Sequence, residues 1–135
     1  MNIKFANGTN FEYLSALETE EFYNGASRRT LTFECAVGVI SVDKLNTLLS
    51  NEANTATITL TGDAVDVLDK DGNPTGETTQ PVNIYDGYVL KLKCGVENKL
   101  ITAETPEAPA VYEDRLVFKL GKRTYIEEQL HKLGL

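Results

Sequence analysis

Asp69, Asp71 and Asn73 stand at alternate positions in the segment Asp69-Lys70-Asp71-Gly72-Asn73-Pro74, where their side-chain oxygens could ligate a calcium ion. An EF-hand loop places a glycine sixth, to turn the backbone sharply, and a carboxylate twelfth, to close the coordination sphere. Pro74 and Gln80 hold those positions here. The segment that begins at Asp69 and ends at Glu77 therefore reads as a hairpin loop built on an Asp-Gly corner, with weak, opportunistic calcium binding as the alternative.

A second group that could do chemistry is acidic. Glu18, Glu20 and Glu21 precede Arg28 and Arg29, and a hairpin between them would set carboxylates across from guanidinium groups. Paired carboxylates act as acid and base only when held at a defined separation in a cleft. On a hairpin surface the same residues make a solvated ion-pair patch. The two thiols, Cys35 and Cys94, fall inside apolar strands, which suits small buried hydrophobes; a disulfide between them requires neighbouring strands. The only histidine, His131, lies close to the last residue, far in sequence from either thiol. No Gly-rich phosphate loop, GxSxG elbow, HExxH or CxxC is present. The sequence thus assigns no catalytic, cofactor-binding or metal-ligating residue, and a non-enzymatic role is expected.

The elements that position these residues are mainly strands. Asn7-Gly8, Asn24-Gly25, Asp71-Gly72 and Asp86-Gly87 tolerate the positive φ angles of tight corners, and most are flanked by alternating apolar and polar residues. Residues 2–5 form a short strand. Residues 11–23 fit either period: Phe11, Leu14, Leu17 and Phe22 suit a helix, whereas Phe11, Tyr13, Ser15 and Leu17 suit a strand. The Asn24-Gly25 corner and the strand after it, with Leu31, Phe33 and Cys35 on one side, favour a long hairpin. Ser41 caps a helix over 42–49, with Ile40 stapled against Leu45 and an apolar stripe of Leu45, Leu48 and Leu49.

Strands follow over 55–61, 65–68 and 80–85, and Tyr85 would face Tyr88 across the Asp86-Gly87 corner. A strand over 89–96 points Leu90, Leu92, Cys94 and Val96 inward and Lys91 and Lys93 outward. Pro106 and Pro109 keep 102–110 out of any central strand. The last strand spans 111–120, and Thr124 with Glu127 makes a capping box for a terminal helix whose Ile126, Leu130 and Leu133 should dock on the body. The expected architecture is one domain, 1–135, mainly β (α+β): an antiparallel barrel or sandwich of about eight strands with one internal and one C-terminal helix.

Composition narrows the partners. A net charge of −7 disfavours nucleic acid and anionic membranes, because both carry the same sign. Residues 1–8 hold one lysine and no extended apolar segment, so no signal peptide is expected and the protein is read as cytoplasmic when synthesised.

The order of features resembles small tail-region or baseplate-region structural proteins of bacteriophages and prophages. The resemblance rests on a short first strand, a hairpin leading into Arg28-Arg29-Thr30-Leu31-Thr32-Phe33, the helix over 42–49, Ile84-Tyr85-Asp86-Gly87-Tyr88, and a final strand entering Thr124-Tyr125-Ile126-Glu127-Glu128-Gln129-Leu130. It implies a β-rich subunit of a virion that assembles with itself or with other phage structural proteins and performs no chemistry. The contact elements expected are strand edges, the loop holding Pro106 and Pro109, and exposed aromatics such as Tyr23 or Tyr112. The alternative is a small binding module for calcium, carbohydrate or a protein, suggested by the loop from Asp69 to Glu77 and the tyrosines.

Overall fold

The computed structural model describes residues 1–135 and is mainly β, with 53% of the chain in strands and 15% in helices. One sheet joins β2 (Asn10–Glu12), β1 (Asn2–Lys4), β5 (Thr57–Thr61) and β8 (Val82–Asp86) in that order. The other joins β3 (Ser15–Tyr23), β4 (Ala26–Ala36), β10 (Val111–Gly121) and β9 (Leu90–Thr102). Every neighbouring pair is antiparallel. A separate hairpin pairs β6 (Val65–Leu68) with β7 (Pro74–Thr79). Neither sheet closes on itself, so the sandwich rather than the barrel is realised, with ten strands instead of about eight.

Corner chemistry explains most of this order. Asn24 and Gly25 have φ of 49° and 82°, the doubly positive pair of a two-residue hairpin turn, and Tyr23 pairs directly with Ala26. That turn resolves the ambiguity over 11–23 in favour of strands, broken at Tyr13 and Leu14 where the chain passes from one sheet to the other. Asn7-Gly8 and Asp71-Gly72 likewise join paired strands. Asp86-Gly87 does not: β8 belongs to the first sheet and β9 to the second, so this corner crosses between layers. Tyr85 and Tyr88 still meet edge to face, 6.0 Å apart, because the crossing turns both rings toward the interior.

The core lies between the two sheets. Phe33 and Phe118 stack at 4.8 Å on the second sheet, and Phe5 and Phe11 close on Phe118 from the first at 6.4 and 6.2 Å. Ile3, Ile58 and Leu60 add the first sheet's share, and Leu31, Cys35, Leu116 and Leu120 the second's. Helix α1 (Val42–Leu49) contributes Leu45, Leu48 and Leu49, held at its start by Ser41, whose hydroxyl accepts the Lys44 N–H at 3.2 Å. A four-residue helix, α2 (Glu52–Thr55), precedes β5 and takes in Thr55, the first residue of the strand expected over 55–61; one turn is too short to show a periodicity.

Two expectations about facing are corrected. Lys119 pairs with Lys93 and Leu120 with Lys91, so Leu92 is the extra residue of a β-bulge. The bulge reverses the alternation: Lys91 swings to the α1 side, where its ammonium donates to Asn46 at 2.7 Å, and Leu92 turns outward over Gly121. Val96 stays in register with Leu116 yet is exposed, because the sheet that would cover it has ended. The terminal helix α3 (Tyr125–Lys132) has its capping box, but it does not dock by its apolar stripe: Ile126 is 70% and Leu133 73% exposed, and no residue of the helix is buried.

Candidate interaction surfaces

The pairing of β10 with β4 stops at Arg115 opposite Ala36, whereas its pairing with β9 continues to Val111 opposite Thr102. Beyond Arg115 the two longest strands therefore form a two-stranded arm that leaves the sandwich. Alternation gives the arm two unlike sides. On one, Leu100 faces Tyr112, Asn98 donates to Asp114 at 3.0 Å, and Val96 faces Leu116. On the other, Lys99 pairs with Glu97 at 3.2 Å and Arg115 with Glu113 at 2.7 Å. Leu100 and Tyr112 are more than half exposed. At the arm's root the apolar side runs into a recess of about 270 Å³ lined chiefly by Val37, Ile40, Val42, Val96 and Leu116. The tip, carrying Pro106 and Pro109, is a tight turn in which the Thr105 N–H donates to the Ala108 carbonyl at 2.9 Å.

Helix α3 is held by charge instead of grease. Arg28 is almost wholly buried and makes five hydrogen bonds: two to the Tyr23 carbonyl, one to the Lys122 carbonyl at 2.8 Å, and a fork onto the Glu127 carboxylate at 2.7 and 3.2 Å. The Arg28 hydrogen bonds, then the Thr124 backbone N–H, bring the Glu127 carboxyl down to about 2. One glutamate thus closes the capping box and anchors the helix, leaving Tyr125, Ile126 and Leu133 facing outward. The sequence pairs Arg28 with the acidic cluster; its true partner lies 99 residues away.

The acidic cluster sits where a hairpin would put it, with Glu20 opposite Arg29 and Glu21 opposite Arg28. The ion pairs nevertheless run elsewhere, although directly opposite residues share a face: one runs to the diagonal neighbour and one to a further strand. Glu18 takes Arg29 and the Tyr88 hydroxyl, the latter at 3.2 Å, and Glu21 takes Lys119 at 2.8 Å. The Lys119 hydrogen bond lowers the Glu21 carboxyl, and burial foremost raises the Tyr88 hydroxyl. Glu20 is exposed and accepts only a long 3.5 Å hydrogen bond from Ser27. With Glu21, Glu97, Lys93, Lys99 and Lys119 it rims an open trough of about 420 Å³ on the outer face of the second sheet.

In the β6–β7 hairpin, one carboxylate oxygen of Asp69 accepts the backbone N–H groups of Asp71 and Asn73 at 2.9 and 3.0 Å, so that oxygen shapes the turn. No group of three or more His, Cys, Asp or Glu side chains is placed to hold a metal ion. Cys35 and Cys94 are both free; they sit on β4 and β9 with β10 between, a spacing of about 10 Å that a disulfide cannot span. Burial pushes the Cys35 thiol up to about 12 and raises that of Cys94. No helix is long and apolar enough to cross a membrane.

Tyr23 and Tyr112 are exposed, in keeping with their selection as contact aromatics, but Phe22 and Tyr125 are more so. Phe22 falls only in the helical alternative for 11–23 and Tyr125 lies off the stripe of Ile126, Leu130 and Leu133, so neither stands out in the sequence as a contact residue. Comparison of the chain with protein-family models, with curated proteins and with solved structures finds no match.

Proposed function

We propose that this chain is a non-enzymatic structural or assembly component of a phage-like particle, of the tail region, acting through contacts with other structural proteins or with itself. The observation that carries the reading is surface in excess of need. A compact monomer of 14.9 kDa exposes about 7000 Å², whereas this one exposes 8529 Å². The surplus of about 1500 Å² is nearly twice the roughly 800 Å² that one partner contributes to an ordinary protein–protein interface. The β6–β7 hairpin and α3 hold no buried residue, and more large apolar residues are exposed than buried.

The test is co-purification. Expressed with the products of neighbouring reading frames, the tagged chain is expected to retain at least one of them and to elute as a larger species by light scattering. Elution of the chain alone against every such product contradicts the reading.

A further inference from the structure

We propose that copies of this chain join head to tail, β3 of one pairing with β9 of the next, so that the second sheet continues across the contact. This deepens the reading of the protein as an assembly subunit and rests on it.

Three observations carry the pairing. β3 and β9 are the two outer strands of one sheet, bonded only to β4 and β10 respectively, so each carries an unpaired backbone edge. Their directions match: three successive antiparallel pairings set β3 and β9 antiparallel to each other, and a second copy laid beside the first continues the same ladder. Their charges are opposite. β3 holds Glu18, Glu20 and Glu21 and no cation, whereas β9 holds Lys91, Lys93 and Lys99 against the single carboxylate of Glu97.

Charge also selects against the alternatives. A two-fold pairing of β3 with β3 brings glutamates together, and β9 with β9 brings lysines together; like charges across a ladder are destabilising. Only the head-to-tail arrangement juxtaposes acid and base. Both edges carry apolar residues to bury as well, Leu17 and Phe22 on β3 and Val96 and Leu100 on β9. The contact uses different patches on its two partners, so it propagates until a ring closes or a filament grows.

Two single reversals test this on the full chain: Glu20→Lys, at the β3 carboxylate least committed within the fold, and Lys93→Glu on β9. Wild-type protein is expected to form species of several times 14.9 kDa whose mass falls as salt is added. Each variant alone, with unchanged circular dichroism, is expected to need about tenfold more protein to reach the same mass, as like charges replace opposite ones. An equimolar mixture is expected to recover assembly, since the lysine edge of one variant then meets the glutamate edge of the other.

A wild type that stays monomeric from micromolar to millimolar overturns head-to-tail pairing, as do variants that assemble like wild type or a folded mixture that fails to recover. Any of these leaves the co-purification experiment to judge the broader assembly role separately.

Discussion

Phe118 is where the two layers meet, and removing its ring gives the sharpest test of the sandwich. It stacks on Phe33 at 4.8 Å and receives Phe5 and Phe11 from the opposite sheet at 6.4 and 6.2 Å, fully shielded from solvent. Phe118→Ala deletes a ring contacted from both layers, so the transfer loss and the cavity term both apply, together about 4 kcal/mol. Unfolding entropy of about 2.1 cal/mol/K per residue over 135 residues converts this to a fall in melting temperature of about 14 °C. Thermal unfolding followed by far-ultraviolet circular dichroism reads the shift. A fall below about 4 °C refutes the placement of Phe118 between the sheets, as does a transition that loses only part of the signal.

Gly121→Ala is expected to lower stability by about 1–3 kcal/mol, because its new methyl would lie 2.9 Å from a Leu92 methyl and 3.0 Å from the Arg28 side chain, which five hydrogen bonds hold in place. A neutral result in denaturant titration contradicts that packing. Glu127 has a folded value of about 2, below its ordinary 4.5, so its contribution is full above 4.5 and disappears as pH falls toward 2. Acid titration is expected to release α3 in that window, and Glu127→Gln to release it at neutral pH; hydrogen exchange of residues 125–132 that ignores both changes contradicts the anchor. The Cys35 thiol, at about 12 and buried, is expected to resist alkylation at pH 8 until the protein unfolds, and rapid native labelling read by mass spectrometry contradicts its position.

What the sequence reveals here is local. Corner dipeptides act over four residues and hydrophobic alternation over five to ten, so the Asn24-Gly25 hairpin, the inward set of Leu31, Phe33 and Cys35, the Ser41 cap and the Thr124–Glu127 capping box are all readable. The assignment of strands to layers is a long-range matter. Asp86-Gly87 has the composition of a hairpin turn, but β5 and β10 claim β8 and β9 in different sheets. The bulge at Leu92 is equally invisible, since an uninterrupted alternation gives no hint that the partner strand lacks a residue. The fate of the α3 stripe depended on Arg28, whose demand for an anion at a buried site orients the helix. As for the candidate surface, Tyr23, Tyr112 and the proline loop are legible as exposed, whereas the arm itself exists because β4 ends at Ala36 while β9 and β10 run on.

The central claim is that the apolar surface outside the sandwich is for contact. Hydrogen exchange by mass spectrometry, comparing the isolated chain with the chain co-purified from expression with its neighbouring gene products, tests it most directly. The account expects residues 96–112 of the arm and 125–132 of α3 to gain protection by tenfold or more, on the order of 1.4 kcal/mol, in the assembled state. Equal exchange of both segments in the two samples, with protection gained only elsewhere or not at all, contradicts it.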